Sequence, residues 1–159
     1  MVRQSFSGAL FDDSLWPLLL VRLVGESSPA QHEEYLDRLA SYLQRGERYL
    51  VVLDAIQLSN TAPADWRRRQ VEWMDAHATL LRELRLGIAF VSRSPYFLLA
   101  MRALIHLKPL SSPYVFASTL DEAVDWAAGR FEEVGHPLQA RRIREHFGLG
   151  ADLQVHSTG

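Results

Sequence analysis

Hydrophobic positions along this chain alternate between a period of two and a period near four. Phe6, Gly8 and Leu10 share one parity, a turn follows at Asp12-Asp13-Ser14, and then comes the run Trp16-Pro-Leu-Leu-Leu-Val-Arg-Leu-Val24. The pattern predicts two paired strands, with Pro17 at a strand start or edge, where a missing N–H is tolerated. Ser28-Pro29 supplies an N-cap with proline at the first helical position, and Gln31 completes a capping box. Leu36, Leu39 and Leu43, beside Tyr35 and Tyr42, recur at helical spacing until Gly46. Tyr49-Leu-Val-Val-Leu53 is short, continuous and apolar, as in a strand covered on both faces, which makes it the expected sheet centre.

Beyond a polar connection through Ser59-Asn60-Thr61, Pro63 is expected to open a long amphipathic helix carrying Trp66, Val71, Trp73, Met74, Leu80, Leu81 and Leu84. Leu86-Gly-Ile-Ala-Phe-Val91 reads as another buried strand, Ser94-Pro95 as a second capped helix start, and Tyr114-Val-Phe116 as a short last strand. Thr119 and Glu122 form a second candidate capping box, ahead of Ala123, Val124, Trp126, Ala127 and Phe131. This alternation predicts an α/β fold: a single domain with a mixed, mostly parallel sheet of about five strands covered by helices. The expected divisions are a domain over 1–135, a basic helix over 136–147 and a flexible tail over 148–159.

Composition narrows the function classes. At 159 residues the chain suits one core, and 48% hydrophobic with 23% charged residues is ordinary for a globular domain. Zero cysteines exclude thiol nucleophiles, disulfides and cysteine metal sites, and fit a reducing compartment. With 17 basic against 19 acidic residues, no global field draws the chain onto nucleic acid or anionic lipid. The apolar runs 15–24 and 96–107 are broken by Pro17, Arg22, Arg102 and His106 and fall short of the ~20 residues of a membrane span. Neither nucleic-acid binding nor membrane insertion is expected, and the expected location is the cytoplasm.

Catalytic signatures are sparse. There is no Gly-x-Ser-x-Gly elbow, no phosphate-cradling glycine loop and no His-Glu-x-x-His, and the six histidines are never paired at i, i+4. A metal site assembled from His77 with Glu72 or Asp75, and a hydrolase built on Asp54, Ser59 and His77, are the remaining chemical alternatives. Against them stand a packed histidine and a Glu72–Arg68 surface pair at i, i+4 spacing. The expectation is a non-enzyme with no metal and no cofactor. Arg67, Arg68 and Arg69 form a candidate anion or partner contact, as do Arg141, Arg142 and Arg144, although acidic neighbours equally make both solvated helix faces.

The segment Tyr96-Phe-Leu-Leu-Ala-Met-Arg-Ala-Leu-Ile-His-Leu107 is apolar around nearly its whole circumference. Such a helix is either covered by another part of the chain or offers apolar area to something else. Its candidate interface residues are Tyr96, Phe97, Leu98, Met101 and Ile105, in a homodimer or against another protein. A groove for a small apolar ligand, walled by this helix and the Trp66–Leu84 helix, is the alternative.

The element order, with Val51-Val-Leu-Asp54, Leu86-Gly-Ile-Ala-Phe-Val91 and Phe116-Ala-Ser-Thr-Leu-Asp-Glu-Ala-Val-Asp-Trp126, resembles a STAS-like domain over about residues 4–132. That family comprises sulfate-transporter and anti-sigma-factor-antagonist domains and the related sporulation anti-anti-sigma-like proteins. The resemblance implies a non-catalytic protein-interaction or regulatory module of bacterial signalling type. It also implies a phospho-switch at a Ser or Thr after a central strand, here Ser59 or Thr61 beyond Asp54. The family segment typically reads Asp-Ser-Ser or Asp-Ser-Thr followed by Gly, whereas this chain has Ser59-Asn60-Thr61. In the alternative reading these side chains simply cap free amides at a helix start.

Overall fold

The computed structural model describes residues 8–59, 62 and 65–149. Five strands form one sheet in sequential order: β1 (Gly8–Asp12), β2 (Leu18–Gly25), β3 (Tyr49–Leu58), β4 (Arg85–Val91) and β5 (Tyr114–Ala117). β1 runs antiparallel to β2, and the remaining neighbours are parallel, so the expected mixed α/β sheet is present. Among the described residues the helices are α1 (Pro29–Leu43), α2 (Trp66–Ala76), α3 (Ala78–Leu84), α4 (Pro95–Leu107), α5 (Leu120–Glu133) and α6 (Pro137–His146).

Sequential parallel strands joined by right-handed crossovers place every connecting helix on the same face. That face carries α1 to α4, through Leu36, Leu39, Leu43, Trp73, Met74, Leu81, Met101 and Leu104. α5 and α6 cover the other with Val124, Ala127, Phe131, Ala140 and Ile143. β3 therefore buries both sides: Tyr49, Val51 and Leu53 point to the first layer, Leu50 and Val52 to the second.

Local chemistry sets the boundaries. Ser28 Oγ accepts the Gln31 N–H at 3.1 Å while Gln31 Oε1 accepts the Ser28 N–H at 2.9 Å, so the first capping box is complete. α1 ends where Gly46, at φ +71°, donates its N–H to the Leu43 carbonyl at 3.1 Å. Ser94 caps α4 through the Phe97 N–H.

Two local expectations are corrected. The helix expected from Pro63 to Leu84 begins at Trp66 and is two helices broken at His77, whose backbone leaves the helical region at φ −114°, ψ 18°. The His77 Nδ1–H donates to the Trp73 carbonyl at 2.9 Å and its ring packs on Trp73 at 4.6 Å, a local arrangement that competes with continuous helix. The second capping box is only half made. Thr119 accepts the Glu122 N–H, but the Glu122 carboxylate turns to Ser118 instead. For α4, where the sequence left two alternatives, the outer side is not covered: Tyr96, Leu99 and Leu107 remain 70%, 71% and 60% exposed. Pro63, Thr61 and residues 150–159 of the expected tail lie outside the described residues.

Candidate functional site

Alternation along β3 presents Tyr49, Val51, Leu53 and Ala55 toward α1, α2 and α4, and the helices do not close fully onto them. A chamber of about 190 Å³ remains between sheet and helices. β4 adds Ile88 and Phe90 to the floor, α1 adds His32, Tyr35 and Leu39, and α2 adds Trp66, Gln70, Trp73 and Met74. From α4 come Phe97, Met101, Leu104 and Ile105, at the spacings that put side chains on one helical face. The exposed lining residues Ala62, Tyr96 and Ala100 mark its mouth.

Its size matters energetically. The chamber opens at a mouth, so its apolar walls meet water, and covering them with a ligand contributes roughly 25 cal/mol per Å² of apolar surface. A cavity of ~150 Å³ with similar apolar walls holds benzene. The chamber is thus adequate for a small organic molecule.

Polar groups in the wall are few. His32, itself buried, and Gln70 join α1 to α2 through Nε2 and Oε1 at 3.2 Å. The Trp73 indole N–H is buried with no acceptor among the described residues. At the start of β3 and β4, Tyr49 pairs in register with Arg85. Burial pushes the Tyr49 phenol up to about 12 and raises Tyr35 further, so both keep an O–H to donate. Burial also holds the Arg85 guanidinium below the usual arginine range; its Nε–H donates to Ser112 Oγ at 3.2 Å.

The α1–α2 wall is tied on its outer side. Arg69 grips Glu33 with two bonds, at 2.7 and 2.6 Å, and Glu72 with a third at 2.6 Å. Arg68 bonds Glu72 and Asp65 at 2.6 and 2.8 Å. Of the three-arginine cluster, Arg68 and Arg69 are thus engaged by carboxylates, and Arg67 stands exposed on α2. Arg144 likewise bonds Asp125 and Glu132, and Arg142 bonds the Ser14 carbonyl.

The residues singled out for chemistry are separated by the sheet. Asp54 pairs with Arg22 at 3.5 Å and accepts the Ile56 N–H, beside a groove formed with Asp12 and Leu120. Ser59 donates its N–H to the Gly25 carbonyl and lines the chamber. His77 borders neither cavity. Asp54, Ser59 and His77 are therefore not gathered into one site. Ser59 stands seven residues ahead of Trp66, where α2 begins, rather than at a helix start. Among the described residues no three His, Asp or Glu side chains are placed to share a metal ion. Of the candidate interface residues, Tyr96 is exposed, Phe97, Leu98 and Ile105 are half-buried, and Met101 is buried and lines the chamber.

Reading the chain alone missed His32, Tyr35, Tyr49, Gln70 and Arg85. A charged residue just ahead of an apolar run looks like a strand flank, and only the pairing of two strand starts brings Tyr49 and Arg85 together.

The fold is SpoIIAA-like. A solved structure of similar shape is an uncharacterized DUF3478-family protein with a SpoIIAA-like fold from Shewanella loihica PV-4. It superposes with a TM-score of 0.57 at 15% identity, covering 79% of this chain and 98% of that one. No family model and no curated protein sequence matches the chain. Among the described residues no helix is long and apolar enough to cross a membrane.

Proposed function

We propose that the chain is a non-catalytic binding module that takes up one small apolar molecule between its sheet and helices α1, α2 and α4, acting as a carrier or sensor. The observation that carries this reading is the apolar chamber of about 190 Å³. We assign it no reaction and place it in the cytoplasm, in keeping with a cysteine-free composition. Trp66 and Trp73 line the chamber, so occupancy should change their emission. A titration with 1-octanol is expected to give a saturable fluorescence change and a rise in melting temperature. No saturable change with straight-chain alcohols of any length from four to ten carbons, on the order of the chamber's size, would remove the proposal's support.

A second reading, protein contact of bacterial signalling type, is favoured by the outer face of α4. Tyr96, Leu99 and Leu107 are exposed there, and covering such side chains contributes about 1.5–3 kcal/mol each. If this face joins two copies of the chain, light scattering detects a dimer that Leu99→Asp converts to monomer. A wild-type protein monomeric at all concentrations excludes the homodimer.

A further inference from the structure

Arg85 is the only formally charged side chain lining the chamber among the described residues; no Asp or Glu faces it. Its place is fixed by the sheet: it opens β4, on the face shared by Tyr49, Val51 and Leu53, at the end of β3 opposite Leu58 and Ser59. One of its five N–H donors is used, by Ser112 Oγ, and no carboxylate lies within ion-pair distance among the described residues. The contrast with Arg68, Arg69 and Arg144, each satisfied by two acids, is sharp. Arg85 is half-buried and arginine keeps its charge there, so a guanidinium facing an apolar chamber with no carboxylate beside it leaves room for an anionic partner at this end.

We infer that the chamber's ligand is a small hydrophobic carboxylate, its head seated on the Arg85 guanidinium and its apolar body running along β3 toward the mouth at Tyr96. The inference rests on the chamber being a binding site. A planar guanidinium with two free terminal nitrogens matches a carboxylate bidentately. A single charge in the wall matches a single negative charge, and a dianionic phosphate would be left half unpaired. Tyr35 and Tyr49 line the same chamber, and burial raises both phenols, which leaves their O–H groups as further donors to an anion.

The experiment compares octanoate with 1-octanol, probes of matched length and different charge, on the wild-type protein, Arg85→Gln and Arg85→Lys. Affinities are read from tryptophan emission at neutral pH. Octanoate should bind wild type about tenfold or more tighter than octanol. Arg85→Gln should bring that ratio to about one while leaving octanol affinity in place, and Arg85→Lys should keep part of the preference. Melting curves establish that the variants fold, and removal of a half-buried charge with no counter-ion should leave the ligand-free melting temperature unchanged or raised. Equal binding of both probes by wild type, or a preference that survives in Arg85→Gln, overturns the assignment and leaves the chamber as a neutral binding site. Failure of both probes to bind wild type overturns the chamber reading as well.

Discussion

Gly87 illustrates how a single position without a side chain holds the second layer together. A Cβ built there would sit 2.9 Å from Trp126 Cη2 and 3.3 Å from the Pro113 carbonyl oxygen. The indole of α5 therefore lies directly on the β4 backbone, and only glycine permits that approach. Gly87→Ala is expected to destabilise the protein by about 1–3 kcal/mol through overpacking, measured as a lower urea midpoint with an unchanged slope. A midpoint equal to wild type would mean that Trp126 moves aside freely. Aromatic packing continues at the same end of the strands on the opposite face, where Trp16 stacks between Tyr42 and Tyr49 at 5.5 and 5.4 Å and Arg45 lies over Trp16 at 4.5 Å. This stack backs the Tyr49 ring at the Arg85 end of the chamber.

Elements α1 and α2 meet through the Glu33–Arg69–Glu72 latch, and the latch predicts a pH dependence. The Arg69 hydrogen bonds hold both carboxylates below the usual glutamate value of 4.5. Groups with a depressed folded-state pKa stabilise the fold above their unfolded value and lose that contribution as pH falls through the folded one. The stability difference between wild type and Arg69→Gln should thus be constant above about pH 4.5 and shrink toward zero below it, and it should weaken with added salt. Measured by urea unfolding, a difference that persists unchanged in acid would show that Arg69 acts through packing instead. These elements also show what was legible beforehand. Strands β3 and β4, the Ser28 capping box and the Ser94-Pro95 helix start all announce themselves locally, by an apolar run or a cap residue. The break at His77 does not, because it depends on a ring bonding the Trp73 carbonyl, and the Glu122 side chain chooses Ser118 over its own cap residue. The apolar circumference of α4 was visible in the chain; its inner residues wall a void and its outer ones face solvent, a division that only the packing of neighbouring helices decides.

At the scale of the whole molecule, a sheet of sequential order puts α1 to α4 on one side and leaves α5 and α6 to seal the other. The α5 and α6 layer is built on small residues, with Ala123, Ala127, Ala128 and Ala140 all buried. The opposite layer combines large aromatic side chains with an open interior, where the proposed binding takes place. A molecule entering that interior replaces a void with contacts and removes apolar surface from water, which lowers the heat capacity on binding. Isothermal titration calorimetry of 1-octanol into the protein at several temperatures measures this directly. The expected result is saturation at one molecule per chain, with a binding enthalpy that grows more negative on warming; heats that stay at the dilution level at every temperature would contradict it.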